Sequence, residues 1–309
     1  MSAELERRLE LFGTSVRVLV APRDREAAAE VERLLERKHR LLTRFDPGSE
    51  LSRLNADPRE VVRVSAQLAG ALEAALRTAQ LTDGLVDPTV LDSLERAGYA
   101  RSRAGVEPAD LREALAAAPP RRPAQPRTDG AWRAVEIADG YVRRPPGMRF
   151  DLGGSAKGHA ADTAAALLRD HASFAVDVGG DIAFGGEAGV PRIVVVQHPF
   201  DHRRDLRFPL TRGAIATSGL ATRIWAAPGG GFAHHLIDPS TGDPAWTGVI
   251  QATALAPTAV AAEALAKAAL FAGPEAGRLL LSAHGGALVL DDGRVRLAGL
   301  RLSAARRAA

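Results

Sequence analysis

Cysteine is absent from the 309 residues, which excludes disulfides, thiolate metal sites and cysteine nucleophiles. Long apolar stretches are absent too, and no run approaches the eighteen or so residues that a membrane-spanning helix requires. The first ten residues carry too many charges for the apolar core of a signal peptide. We therefore expect a cytoplasmic protein without a membrane partner.

Lysine is scarce in this chain. Of 40 basic residues, only Lys38, Lys157 and Lys267 are lysines. The arginines are scattered, apart from short pairs and residues 203–207, and the formal net charge is only +3. This distribution favours a solvated surface over a nucleic-acid partner. Because lysine carries a compact ammonium that arginine cannot imitate, each lysine is a candidate functional residue.

The hydrophobic pattern of residues 12–82 predicts one strand and two long helices. Residues 12–21 alternate as a strand does, and an amphipathic helix follows with apolar residues at helical spacing up to Phe45. Residues 46–49, Asp-Pro-Gly-Ser, should break this helix. Ser65 can cap a second helix that runs to about Thr82.

Strands and helices are mixed along the rest of the chain without strict βαβ alternation. Residues 131–143 predict a hairpin, and residues 118–128 carry four prolines, which is typical of an exposed loop. An alanine-rich helix is expected over 258–272. The pattern favours an α+β fold of mostly antiparallel sheets with flanking helices. We expect residues 1–309 to form a single domain.

A glycine-bearing segment, Asp151-Leu152-Gly153-Gly154-Ser155-Ala156-Lys157-Gly158, is expected between a strand and a helix. Free N–H groups and the helix dipole at such a junction favour anions, and glycines let a ligand approach the main chain. Lys157 could reach a phosphate from the first helical turn. The spacing fits neither a Walker loop nor a dinucleotide fingerprint. A strand-to-helix turn with an exposed lysine explains the local sequence equally well.

Two further segments carry polar residues at expected strand ends. In 178–182, Val-Gly-Gly-Asp-Ile, a glycine pair within a strand suggests a bulge or a close backbone approach, and Asp181 either binds a polar group or caps the turn. His234 and His235 precede the turn sequence 238–242. They should point to opposite faces of a strand, which makes a shared metal site difficult. Either could be a general base, although a structural role is commoner.

The alanine-rich helix contains only two charged residues, Glu263 and Lys267, which lie four residues apart on one face. The simplest interpretation is a surface ion pair. The rest of the helix is so apolar that we expect it to be buried, and a buried ion pair is rarely retained for stability. This consideration favours a functional site.

Taken together and in this order, these segments resemble the FAD:protein FMN transferase (ApbE) family from about Phe12 to Gly273. Ser49-Glu50-Leu51-Ser52-Arg53-Leu54-Asn55 and Gly84-Leu85-Val86-Asp87-Pro88-Thr89-Val90 match two family motifs, and Phe12-Gly13-Thr14 resembles a third. Segments 151–158, 179–181, 216–219 and 235–242 each fall on a family block. The resemblance implies an ApbE-like, T-fold-like architecture. It also implies an enzyme that cleaves the FAD pyrophosphate, attaches FMN to a Ser or Thr hydroxyl of an acceptor protein and releases AMP.

The resemblance also assigns residues to a site. Family positions that contact FAD correspond here to Phe12, Phe45, Leu85, Val86, Asp87, Asp151, Lys157, Ser218 and Ile237. The family holds magnesium with a main-chain carbonyl, here that of Gly154, together with an aspartate that is Glu263 here and a threonine that is Lys267 here. His235 matches a histidine that is thought to assist the chemistry, and we count Lys267 as a second catalytic candidate.

These two substitutions bear on the implied metal. Magnesium requires oxygen ligands in near-octahedral geometry, and an ammonium supplies none. Either Glu263 still holds the ion through water, or Lys267 takes the place of the cation and faces the pyrophosphate. The resemblance therefore leaves three activities open: FMN transfer, FAD binding without transfer, and hydrolysis of FAD to FMN and AMP.

Overall fold

The computed structural model describes residues 4–299 and contains fifteen strands and seven α-helices within that range. The strands are β1 (Leu5–Leu11), β2 (Thr14–Ala21), β3 (Val61–Arg63), β4 (Glu136–Ala138), β5 (Tyr141–Arg143), β6 (Ser173–Val178), β7 (Asp181–Gly185), β8 (Arg192–Val196), β9 (Leu206–Leu210), β10 (Gly213–Gly219), β11 (Ile224–Ala226), β12 (Phe232–His234), β13 (Val249–Ala256), β14 (Gly286–Leu290) and β15 (Val295–Ala298). The helices are α1 (Arg25–Leu42), α2 (Glu50–Ala56), α3 (Ala66–Leu81), α4 (Leu91–Arg96), α5 (Leu111–Ala117), α6 (Ala156–Leu167) and α7 (Ala259–Leu281).

The largest sheet has eight antiparallel strands in the order β1-β2-β6-β7-β10-β13-β14-β15. Strand β2 shows how the sequence builds it. Val16, Val18 and Val20 are buried and the residues between them are more exposed, as the two-residue period of a strand requires. These valines pack with apolar residues of α1, α6 and α7, so the three helices cover one face of the sheet. The opposite face packs against the β8–β9 ribbon.

Helix α7 is fixed to α6 at its N-terminus. The Asp162 carboxylate of α6 accepts hydrogen bonds from the N–H groups of Ala259 and Val260 at 2.7 and 3.0 Å. The Thr258 hydroxyl accepts a third bond, from the N–H of Ala261. Because these contacts satisfy N–H groups that a helix leaves free, they set the position of α7 relative to α6.

The fold class expected from the sequence, α+β with mostly antiparallel sheets and flanking helices, is confirmed. Ser65 caps α3 by accepting a hydrogen bond from the N–H of Leu68, as expected. The hairpin within 131–143 also forms, with Asp139 and Gly140 at φ values of 52° and 77° in its turn. Residues 118–128 contain neither helix nor strand.

Two local expectations were wrong, and one helix was not expected. Helix α1 ends at Leu42, so Phe45 lies in the loop beyond it. Residues 50–56 form α2, which starts because the Ser49 hydroxyl accepts a hydrogen bond from the N–H of Ser52. No strand runs into Asp151, since residues 144–155 contain none. Among residues 4–299, every helix falls short of the length or the hydropathy needed to cross a membrane.

Candidate active site

A cleft of about 920 Å³ lies between the C-terminal end of α1, the N-terminus of α6 and the end of β10. This volume is at the upper end of the roughly 300–1,000 Å³ typical of small-molecule sites. The candidate residues that line the cleft are Phe12, Phe45, Leu85, Val86, Asp87, Asp151, Gly154, Lys157, Ser218, His235, Ile237 and Lys267. Glu263 is the exception, because it lies behind the wall with 0% of its surface exposed.

Four charged side chains meet at the wall of the cleft, and we call them the ion cluster: Lys157, Asp181, Glu263 and Lys267. The ammonium of Lys267 donates to Glu263 Oε1 at 2.7 Å, and Lys157 Nζ lies 3.5 Å from the same oxygen. Lys157 also donates to the carboxylate of Asp181. The cluster therefore joins α6, β7 and α7 through alternating positive and negative groups.

A glycine allows this cluster to form. A Cβ on Gly158 would lie 2.7 Å from the carbonyl oxygen of Ala259, so a larger residue would push α6 away from the start of α7. The close approach lets the Gly158 N–H donate to Glu263 Oε2 at 2.9 Å. Both carboxylate oxygens of Glu263 thus have partners within the protein.

The pKa values of the two carboxyl groups of the ion cluster are shifted in opposite directions. Burial would raise the pKa of Glu263, but the ammonium groups of Lys267 and Lys157 hold it below its ordinary value. Burial and the nearby charge of Glu263 raise the pKa of Asp181 above its ordinary value. The difference follows from the contacts, since Glu263 has two ammonium partners and a main-chain N–H, whereas Asp181 has Lys157. Burial opposes the charge of Lys157, but Asp181 and Glu263 raise its pKa above the ordinary value.

The structure corrects two interpretations of the sequence here. Gly179 and Gly180 do not form a bulge within a strand; they are the turn between β6 and β7, with φ values of 64° and 91°. This turn places Asp181 at the start of β7, where it is 0% exposed and binds Lys157. The interpretation of Lys157 as an exposed lysine is also wrong, because carboxylates hold its ammonium.

The N-terminus of α6 faces the cleft. Gly153, Gly154, Ser155 and Lys157 line it, and the Ser155 side chain makes no capping hydrogen bond. The partial positive charge at this end of a helix favours an anionic ligand. The expected anion-binding character of the segment therefore has a structural basis, although the segment follows a loop and not a strand.

Another wall of the cleft contains residues that sequence reasoning missed. Arg44 Nε donates to Asp151 Oδ2 at 2.7 Å, and Arg44 Nη2 donates to the carbonyl of Tyr99 at 2.7 Å. The guanidinium lies 4.2 Å from the ring centroid of Phe45 and 4.6 Å from that of Tyr99. Phe45 and Asp151 were predicted, whereas Arg44 and Tyr99 were not. The rarity of tyrosine, which occurs twice in the chain, was the one available signal for Tyr99.

His235 faces the cleft, and His234 does not. His235 Nδ1 lies 3.4 Å from the carbonyl oxygen of Arg223. A carbonyl only accepts, so we assign the proton to Nδ1 and the free lone pair to Nε2. Burial, with the charge of Lys267, lowers the pKa of His235 to about 3, so the ring is neutral near pH 7. His234 is fully buried against Trp246, with ring centroids 4.7 Å apart, which fits a structural role.

Asp87 presents one unpartnered oxygen beside the cleft. Its Oδ1 accepts hydrogen bonds from the Thr89 N–H at 2.7 Å and the Thr89 hydroxyl at 2.6 Å. Within the described residues, Oδ2 is buried without a hydrogen-bond partner. Burial raises the pKa of this carboxyl group. Since a buried polar atom costs free energy unless it is paired, Oδ2 is a natural contact for a ligand.

Residues 12–290 match the model of the ApbE family. The chain belongs to this family. Curated relatives named FAD:protein FMN transferase include one from Treponema pallidum (strain Nichols), which is 32% identical over 93% of this chain and 84% of that protein. Another, from Vibrio cholerae, is 30% identical over 82% of this chain and 76% of that protein. The crystal structure of the ApbE protein from Thermotoga maritima aligns with a TM-score of 0.78 and 29% identity, over 96% of this chain and 97% of that chain.

The magnesium ion implied by resemblance to ApbE proteins does not fit the groups present. Gly154 lines the cleft and offers its carbonyl. Both oxygens of Glu263 are already bound, and Lys267 has no lone pair to donate while charged. Across the part of the chain that the structure describes, no group of three or more His, Asp and Glu side chains is arranged to hold a metal ion. A site with one carbonyl is too poor in oxygen for Mg²⁺.

Proposed function

We propose that this chain is an FAD:protein FMN transferase. A hydroxyl oxygen of the acceptor protein, from Ser or Thr, forms a bond to the phosphorus of the FMN half of FAD. The bond from that phosphorus to the bridging oxygen breaks, and its electron pair leaves with AMP. The hydroxyl proton passes to a base, so the products are a phosphodiester-linked FMN, AMP and a proton.

The observation that carries the proposal is the gathering of residues from separate segments around one cleft. Phe12 from the β1–β2 turn, Asp87 from the loop after α3, Asp151 from the loop before α6 and Ile237 from the segment after β12 all line it. These segments are far apart in sequence, and each belongs to a different motif shared with the ApbE family. The cleft is large enough for a ligand larger than a single nucleoside.

The chemistry assigned to the cleft is mainly electrostatic. Phosphoryl transfer needs its reactants held in line and the charge on the phosphate oxygens offset. The N-terminus of α6 and the ammonium of Lys267 would supply that positive charge. His235 Nε2 would accept the hydroxyl proton. The low pKa of about 3 in the free protein should rise when the anionic pyrophosphate binds nearby, because a negative neighbour favours the protonated ring.

Magnesium takes no step in this proposal, because its donor set is incomplete. The choice of Ser or Thr as acceptor residue belongs to the proposal too, and peptide mass spectrometry of the flavinylated acceptor would identify the residue. The cytoplasmic location stays a prediction from the sequence, which fractionation of cells producing the protein would check. That residues 1–309 form a single domain also stays a prediction.

The test is an incubation of the purified chain with FAD and a candidate acceptor protein. Flavin fluorescence that stays with the acceptor after denaturation, together with release of AMP in equal amount, supports the proposal. Bound but unchanged FAD would indicate a binding protein. Free FMN plus AMP, with none on the acceptor, would indicate a hydrolase. Either of these two results overturns the assignment as a transferase.

A further inference from the structure

The ammonium of Lys267 lies at the boundary between the ion cluster and the cleft. Its side chain is 7% exposed and lines the cleft, while Nζ donates to Glu263 Oε1. An ammonium has three N–H donors, so this bond leaves others for a ligand. Lys157, the other ammonium of the ion cluster, is already bound to Asp181 and approaches Glu263.

Glu263 is shielded from any ion in the cleft. Its side chain is 0% exposed, and it is bound to Lys267, which lines the cleft where Glu263 does not. Oε1 accepts from Lys267, and Oε2 accepts from the N–H of Gly158. A divalent cation that bound Oε1 of this carboxylate would lie beside the ammonium of Lys267, which repels it.

The ion cluster also has no excess of negative charge for a metal to neutralise. It holds two ammonium groups and two carboxyl groups. A divalent cation would therefore meet two positive groups at short range, in a site where low solvent exposure makes electrostatic repulsion stronger than in water. The arrangement disfavours an added cation and already presents the ammonium of Lys267 to the cleft.

We infer that the ammonium of Lys267 takes the charge-neutralising part of a divalent cation, so that this chain binds FAD and transfers FMN without bound magnesium. The inference rests on the proposed function. A lysine can offset phosphate charge as a point charge and can donate hydrogen bonds to phosphate oxygens. It does not act as a Lewis acid, so catalysis depends more heavily on positioning and on the N-terminus of α6.

The first test uses the unaltered protein, stripped of metal by EDTA and then dialysed. FAD affinity is measured by flavin fluorescence in EDTA and in millimolar magnesium chloride, and transfer to the acceptor is measured in the same two buffers. We expect both quantities to agree within about twofold between the buffers. A loss of about tenfold or more in EDTA overturns the inference while leaving the proposed function intact. Failure to bind FAD in both buffers overturns the proposed function itself.

The second test compares two variants that differ in their capacity to bind a metal. Lys267→Met removes the charge and supplies no oxygen, so FAD affinity should fall about tenfold or more in both buffers, the effect of losing a charge-assisted hydrogen bond. Lys267→Thr supplies a hydroxyl oxygen, so its affinity should fall in EDTA and recover with magnesium. Unchanged affinity for the Met variant, or no response of the Thr variant to magnesium, contradicts the inference. Thermal melting of each variant shows whether it is folded.

Discussion

The ion pair between Arg44 and Asp151 gives the sharpest prediction for the wall of the cleft. The two side chains are 6% and 15% exposed, and their contact atoms are 2.7 Å apart. In Asp151→Ala, the Arg44 guanidinium stays largely buried after losing its carboxylate. Removing one partner of a buried pair costs about 3–5 kcal/mol. Because this pair borders an open cleft, we expect the lower end, about 3 kcal/mol in the free energy of unfolding.

Thermal unfolding checks this magnitude. With an unfolding entropy of about 2.1 cal/mol/K per residue, a chain of 309 residues should lose roughly 5 °C in Tm for about 3 kcal/mol. A matched control is Asp292→Ala, which breaks an exposed pair whose side chains are 72% and 44% accessible. The control should change stability by less than about 1 kcal/mol.

A double-mutant cycle with Arg44→Met separates the ion pair from other effects of each substitution. If the pair carries the cost, the double variant should be more stable than the sum of the single changes predicts. FAD affinity of Asp151→Ala should also fall, because Arg44 would no longer be held against Phe45 and Tyr99. Additive single effects, or a Tm within about 1 °C of the unaltered protein, would refute this reasoning.

Three other substitutions test separate features. His235→Ala should slow FMN transfer by about 100-fold or more and change FAD affinity little, as removal of a general base does; equal transfer rates would exclude His235 as the base. Asp87→Asn should weaken FAD binding about tenfold, because the amide NH2 group can replace the acceptor oxygen Oδ2 and would then face a hydrogen-bond donor of the ligand. Unchanged affinity would mean that Oδ2 does not contact the ligand. Lys38→Met should stabilise the protein at pH 7, because burial lowers the pKa of Lys38 to about 8 and its ammonium is hydrogen-bonded to the imidazole of His159 and not to a carboxylate. Between about pH 8 and 10.5, the folded protein binds fewer protons than the unfolded chain. The free energy of unfolding of the unaltered protein therefore rises with pH in this range. Urea unfolding should show that the difference in stability between the Met variant and the unaltered protein shrinks as the pH rises.

The sequence allowed identification of those site residues that lie within contiguous motifs. The segment around Asp151 and the turn after His235 could be identified because their motifs are local and resemble family blocks. The cap at Ser65 could be predicted because a serine side chain satisfies N–H groups of the helix that it precedes. The burial of Glu263 and Lys267 followed from the apolar helix around them.

The missed features depend on contacts between distant residues. Arg44 and Asp151 are 107 positions apart, and Lys157 and Asp181 are 24 apart. No periodicity in one sequence shows that such residues meet, because register and helix packing decide it. The wrong prediction of a bulge at Gly179 and Gly180 had the same cause. A turn and a bulge use the same residues, and pairing between β6 and β7 selects the turn.

The three lysines share a structural feature that extends beyond the active site. All three lysines are in protein-held contacts: Lys267 with Glu263, Lys157 with Asp181 and Lys38 with His159. Arginine has a planar fork of donors, whereas an ammonium points its three donors in diverging directions from a compact head. Lys267 needs that geometry, because it must bind Glu263 behind the wall and a ligand in front of it. Lys38 does not line the cleft and is also buried, so a rare lysine in this chain marks an interior contact. Lys157 and Lys267 both line the cleft, and this position separates them from Lys38 as residues for function.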